Sequence, residues 1–165
     1  MSPESSRGDR VAVMTIAIGL VGAGCGGAAA PAAAPVAEPA DDITARDVVG
    51  HWTGDWGTLY LRLEADGSVR GVYPRDDGAL VGRVDNGVLT GWWCEAPTRR
   101  PDADAGDVEL VFERDGGHLV LRGAWRDGAT SEDWHRGWDL ERTDTPVDFA
   151  LLAGLDDEQR FCAPP

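Results

Sequence analysis

The sequence predicts an all-β domain, an eight-stranded antiparallel up-and-down barrel with a short C-terminal helix packed outside. Three observations carry this expectation. From Gly50 to Arg142, short runs of alternating apolar and polar residues follow one another, with no stretch of helical period between them. The runs are separated by Asp66-Gly67, Asp76-Asp77-Gly78, Asp85-Asn86-Gly87 and Asp115-Gly116-Gly117, residues that accept the positive φ of tight hairpins. Glycines recur inside strands at Gly71, Gly82, Gly91 and Gly123, where they weaken a sheet unless it bends sharply or its backbones approach closely. A parallel sheet would need crossover helices, and none interrupts the series.

Strands are expected at Gly50–Gly54, Thr58–Glu64, Ser68–Tyr73, Ala79–Val84, Val88–Glu95, Val108–Glu113, His118–Arg126 and Trp134–Arg142. Side chains alternate across a strand, so Val69, Gly71 and Tyr73 share a face, as do Leu80, Gly82 and Val84, and Leu89, Gly91 and Trp93. The opposite faces carry Ser68, Arg70, Arg83 and Thr90. The glycine face is therefore the inner one. Leu59, Leu61 and Leu63, and Val108, Leu110 and Phe112, supply aliphatic and aromatic rows from the even strands.

The odd strands each carry Gly-x-aromatic: Gly50-His51-Trp52, Gly71-Val72-Tyr73, Gly91-Trp92-Trp93 and Gly123-Ala124-Trp125. In a meander these strands run the same way, so Trp52, Tyr73, Trp93 and Trp125 are expected to point inward towards one end. Glu95 shares the parity of Trp93 and falls at that aromatic rim. An eight-stranded barrel is just wide enough to fill itself or to hold one small ligand. Both outcomes stay open here. The rings either plug the barrel as core, or line a pocket for a small apolar or aromatic ligand.

Ahead of the barrel, Arg7 and Arg10 precede an apolar run from Val11 to Gly24. That run is shorter than the roughly 20 residues a spanning helix needs and suits an export signal. It ends in Leu20-Val21-Gly22-Ala23-Gly24-Cys25, which resembles the lipobox of bacterial lipoproteins. The resemblance implies that Cys25 is acylated on sulfur and becomes the new N-terminus. It also implies anchorage to the cell envelope, with Gly26 after the cysteine resembling the pattern sorted to an outer membrane. Gly22 stands where a larger aliphatic residue is usual, and Glu4 and Asp9 sit in the basic region. The alternative is an ordinary secretory signal cut in the alanine-rich stretch; either route exports the chain. The expected organisation is a signal at 1–24, an Ala/Pro tether at 25–45, the barrel at 46–143 and a helical tail at 144–165. Proline forbids helix and sheet in the tether.

With Cys25 set aside, Cys94 and Cys162 remain as a pair in an oxidising compartment. A bridge between them closes a long loop and contributes on the order of 4 kcal/mol in the chain-entropy model; two buried free thiols are the alternative. Trp92 and Cys94 face outward on this register. Thr145-Pro146-Val147-Asp148 reads as a helix start with threonine capping. Phe149, Leu151, Leu155 and Phe161 could then cover an outer patch over Trp92 and bring Cys162 to Cys94.

The stretch from Gly50-His51-Trp52 through Gly57-Thr58 to Gly71-Val72-Tyr73 resembles the opening three strands of an avidin-type barrel. In that family an asparagine, a turn serine and a tyrosine bind the ureido group of biotin. Here those positions hold Gly54, Thr58 and Tyr73, so the resemblance implies the architecture without biotin. Repeated Gly-x-aromatic hairpins also resemble those of small exported barrels of unknown role.

Chemistry is sparse. The net charge of −14, from 29 acidic and 15 basic residues, disfavours nucleic acid as a partner. His51, His118 and His135 lie on different strands without metal-ligand spacing. Ser131, Asp133 and His135 crowd one loop, whereas a triad converges from separate elements. Asp102-Ala103-Asp104-Ala105-Gly106-Asp107 lacks the closing glutamate of a calcium loop and reads as a solvated acidic loop. No enzyme, cofactor or metal is therefore expected. The partners expected are a membrane, through the N-terminal lipid, and a small ligand.

Overall fold

The computed structural model describes residues 42–101, 103–162 and 164. The expected signal, Cys25 and the expected tether up to residue 41 lie outside the described residues. Eight strands follow in chain order: β1 (Gly50–Gly54), β2 (Gly57–Leu63), β3 (Val69–Tyr73), β4 (Gly78–Asp85), β5 (Val88–Cys94), β6 (Ala105–Asp115), β7 (His118–Trp125) and β8 (His135–Thr143). Each pairs antiparallel with the next, and β8 returns to β1, so the sheet closes into the expected up-and-down barrel.

The parity argument holds. Leu59, Leu61, Leu80, Leu89, Leu110, Phe112, Leu121 and Leu140 are buried inside with Trp93, whereas Trp92 joins a separate outer cluster with Cys94 and Ala105. The inner glycines stand where a neighbouring strand presents bulk. A β-carbon on Gly71 would come within 2.8 Å of Leu61 and 2.9 Å of Leu80, and one on Gly123 within 2.8 Å of the Trp138 β-carbon. Gly82 and Gly91 face each other across β4 and β5, close enough that a β-carbon on Gly91 would lie 2.7 Å from the Gly82 α-carbon. These strands bend by omitting side chains where another fills the space.

One end of the barrel is shut by the chain that enters it. Ile43 and Val48 are buried, the Gly87 amide donates to the Ile43 carbonyl at 3.1 Å, and the Arg142 guanidinium donates to the Asp47 carbonyl at 2.7 Å. Asp47 accepts from the Thr44 amide at 2.8 Å and its hydroxyl at 2.6 Å, which fixes the turn. The folded unit therefore begins before residue 46, because an isoleucine inside the 25–45 segment serves as its plug. At the other end of the chain's acidic loop, Ala105, Gly106 and Asp107 belong to β6, not to a solvated loop. The Arg126 guanidinium holds Asp107 at 2.9 and 2.5 Å.

The tail lies outside the barrel, as expected, but not where expected. Helix α1 (Phe149–Ala153) is capped by Asp148, whose carboxylate accepts from the Ala150 amide at 2.9 Å; Thr145 instead donates its amide to the Thr143 hydroxyl at 3.1 Å. Leu151 and Leu155 pack on Val72 and Ala79 rather than on Trp92, each burial contributing roughly 1.5–3 kcal/mol. Phe149 is 87% exposed and covers nothing. Arg70 grips Glu158 at 2.6 and 2.9 Å and lies 4.6 Å from the centre of the Phe161 ring. Tyr60, Val72, Ala79, Cys94 and Ala105 are successive partners in register across β2 to β6. The tail follows this outer row until Cys162 meets Cys94 at disulfide-bonding distance, with α-carbons 6.4 Å apart.

Candidate functional site

The odd strands all run towards the end opposite the plug. There β3 ends on Tyr73, β7 ends on Trp125, and β5 places Trp93 next to its last residue with Glu95 just beyond. Together with Trp138 of β8 they wall an open cavity of about 310 Å³. Trp56 and Arg75 stand at its edge, and Asp76 and Asp104 complete the rim with Glu95.

The rings meet edge to face. Tyr73 and Trp138 have centroids 5.1 Å apart with planes at 73°, Trp138 and Trp125 are 6.3 Å apart at 87°, and Trp125 and Trp56 are 5.0 Å apart at 69°. Perpendicular neighbours satisfy the aromatic quadrupoles and form the corners of a box. The Trp93 indole N–H donates to the Arg126 carbonyl at 3.1 Å, so its polar edge is spent on backbone.

Of the five residues expected at this end, Tyr73, Trp93, Glu95 and Trp125 are brought together. Trp52 is not. It sits in the middle of β1, fully buried, with its N–H donating to the Val48 carbonyl at 3.0 Å and its ring 5.2 Å from that of Phe112. The Gly-x-aromatic pattern gives the face of a residue but not its depth, and Trp52 lies one inward step further from the rim, below Gly54. Trp138 and Trp56 were not anticipated. Trp138 shares parity with Leu140 and faces Gly123 across β7 and β8, a readable signal. Trp56 sits in the β1–β2 turn, 43% exposed, where strand parity has no meaning.

Burial dominates the electrostatics. It raises the Glu95 carboxyl above its ordinary value of 4.5, with the charges of Asp76 and Asp104 pushing the same way. A hydrogen bond from Tyr73 and the charge of Arg75 oppose it. The Tyr73 phenol is held well above 10.0, first by burial and then by Glu95.

Elsewhere, the Ser131 hydroxyl accepts from the Asp133 amide at 3.2 Å, and the His135 ring lies 5.5 Å from Trp125. Both contacts are local packing. Thr58 lines an outer groove with His51 rather than the cavity, and its hydroxyl donates to the Trp52 carbonyl at 3.1 Å. Of Gly54, Thr58 and Tyr73, only Tyr73 reaches the cavity wall. Among the described residues, no three His, Cys, Asp or Glu side chains are grouped to hold a metal ion. No protein-family model, no curated protein and no solved structure matches the chain.

Proposed function

We propose that the chain is an exported, lipid-anchored binding module that takes a small apolar or aromatic ligand in the open end of its barrel. The observation that carries this reading is the cavity of about 310 Å³ walled by Tyr73, Trp93, Trp125 and Trp138. Its volume is at the small end of the range of ligand pockets, and its few polar groups gather at one rim, the arrangement that orients a small molecule. Export and the lipid on Cys25 rest on the N-terminal sequence. No reaction is assigned to the site.

A rival reading, a structural or protein-interaction lipoprotein with a solid interior, draws on the packing below the cavity, where Trp52, Phe112, Leu121 and Leu140 are buried. Tryptophan emission separates the two. Toluene, cyclohexanol and catechol, added in turn to the mature domain, should shift or quench emission with saturation under the binding reading. Emission that changes only linearly with each compound favours the rival.

A further inference from the structure

We infer that the cavity takes a small organic cation, an alkylammonium or quaternary ammonium group, seated among the tryptophan faces below the carboxylates of Asp76, Glu95 and Asp104. This deepens the binding reading above and rests on it.

Two independent features of the site converge. The first is the box of rings. Aromatic faces are electronegative, and a cation that has lost water gains most from several faces at once. Tyr73, Trp138, Trp125 and Trp56 meet in a continuous edge-to-face series at 5.0 to 6.3 Å, and all four line the one cavity. A cation already uses one of them: the Arg75 guanidinium lies 5.1 Å from the centre of the Trp56 ring.

The second feature is the rim. The Glu95 amide donates to the Asp104 carbonyl at 2.8 Å, and the next amide, Ala96, donates to the Asp76 carbonyl at 2.7 Å. These two bonds hold three acidic residues side by side along one edge of the mouth. Arg75 is the guanidinium on the lining, and it pairs with Asp76 at 3.7 Å. Among the described residues neither Glu95 nor Asp104 has an ion-pair partner. Asp104 is engaged by Thr98, through its amide at 3.1 Å and its hydroxyl at 2.5 Å. Among the described residues the three carboxylates are not grouped to chelate a metal ion, yet they border a volume that suits a bulky cation.

Charge then discriminates among ligands. An anion would meet three carboxylates. A neutral ligand would cover the half-buried Glu95 and leave its charge balanced by no ion pair, with only the Tyr73 hydrogen bond to hold it, which is costly once water is displaced. A cation supplies the partner.

Calorimetry on the folded mature protein, at fixed ionic strength, tests this with choline and its uncharged isostere 3,3-dimethylbutan-1-ol. Choline should bind at least about ten-fold more tightly than the isostere. Glu95→Gln, and independently Asp104→Asn, should each weaken choline several-fold and leave the isostere unchanged. Equal binding of the two compounds, or choline binding untouched by both substitutions, overturns the cation inference. If the isostere, toluene or catechol still binds in that case, the binding reading stands. If no compound binds, both readings fall together.

Discussion

Tyr73 lays its ring across Gly78, the residue paired with it between β3 and β4. A β-carbon on Gly78 would overlap that ring, although its φ of −72° is open to any residue. Glycine is therefore required here for room, not for conformation. The ring that occupies the room is the one that leans on Trp138 and meets Glu95.

Gly78→Ala should consequently act through Tyr73. Overpacking at such a contact costs about 1–3 kcal/mol. Urea denaturation should show that loss, and ligand affinity at the open end should fall as well. An unchanged midpoint would mean the ring yields without cost.

Trp52 and Trp125 look alike in sequence and should behave differently. Trp52→Ala empties the solid interior beside Phe112 and should cost about 3–5 kcal/mol in denaturation. Trp125→Ala removes a partly buried wall, so it should cost distinctly less stability and abolish most ligand binding. Similar behaviour of the two would erase the division between core and pocket.

The Cys94–Cys162 pair ties the end of the tail to β5, with the Cys94 sulfur also near the Arg160 carbonyl. Reduction should lower stability by up to about 4 kcal/mol while leaving the far-ultraviolet circular dichroism of the barrel. The tail then remains held by Leu151, Leu155 and the Arg70–Glu158 clasp. Mass spectrometry of the protein purified without reductant from an oxidising compartment should find no free thiol on either residue.

Two pH dependences run in opposite directions. Glu95 has a raised value when folded, so its ionisation opposes folding. That cost is absent below 4.5 and grows as pH rises through the folded value. Tyr73, Arg75, Asp76 and Asp104 face it and set the size of the effect. Glu95→Gln should therefore gain stability relative to wild type between mildly acidic and neutral pH. Asp47, Asp66 and Glu158 are held below their ordinary values by Thr44, Ser68 and Arg70 respectively. Their contribution is present above the ordinary carboxylate range and is lost as pH falls through the lowered values. Denaturation midpoints against pH, for wild type and Glu95→Gln, check both.

Much of this was legible in the chain. Alternation and mid-strand glycines assign the inner faces of β1 to β7 correctly, and the even cysteine pair with the outward parity of Cys94 anticipates the link. Depth along the barrel was not legible, because it depends on the stagger between strands, and Trp52 shows the consequence. The helix start was misplaced because Thr145-Pro146 and Asp148 both satisfy local capping rules; the choice fell to Asp148 when Leu151 found Val72. Trp56 belongs to a turn and reaches the site only through the tertiary fold.

Nitrogen-15 labelling of the seven tryptophans offers the most direct test, since each indole N–H reports separately. On addition of choline or toluene, the resonances of Trp56, Trp93, Trp125 and Trp138 should move with a common saturation, while those of Trp52, Trp92 and Trp134 stay in place. Shifts confined to Trp92 and Trp134, or no saturable shift at all, would contradict a binding site at the open end of the barrel.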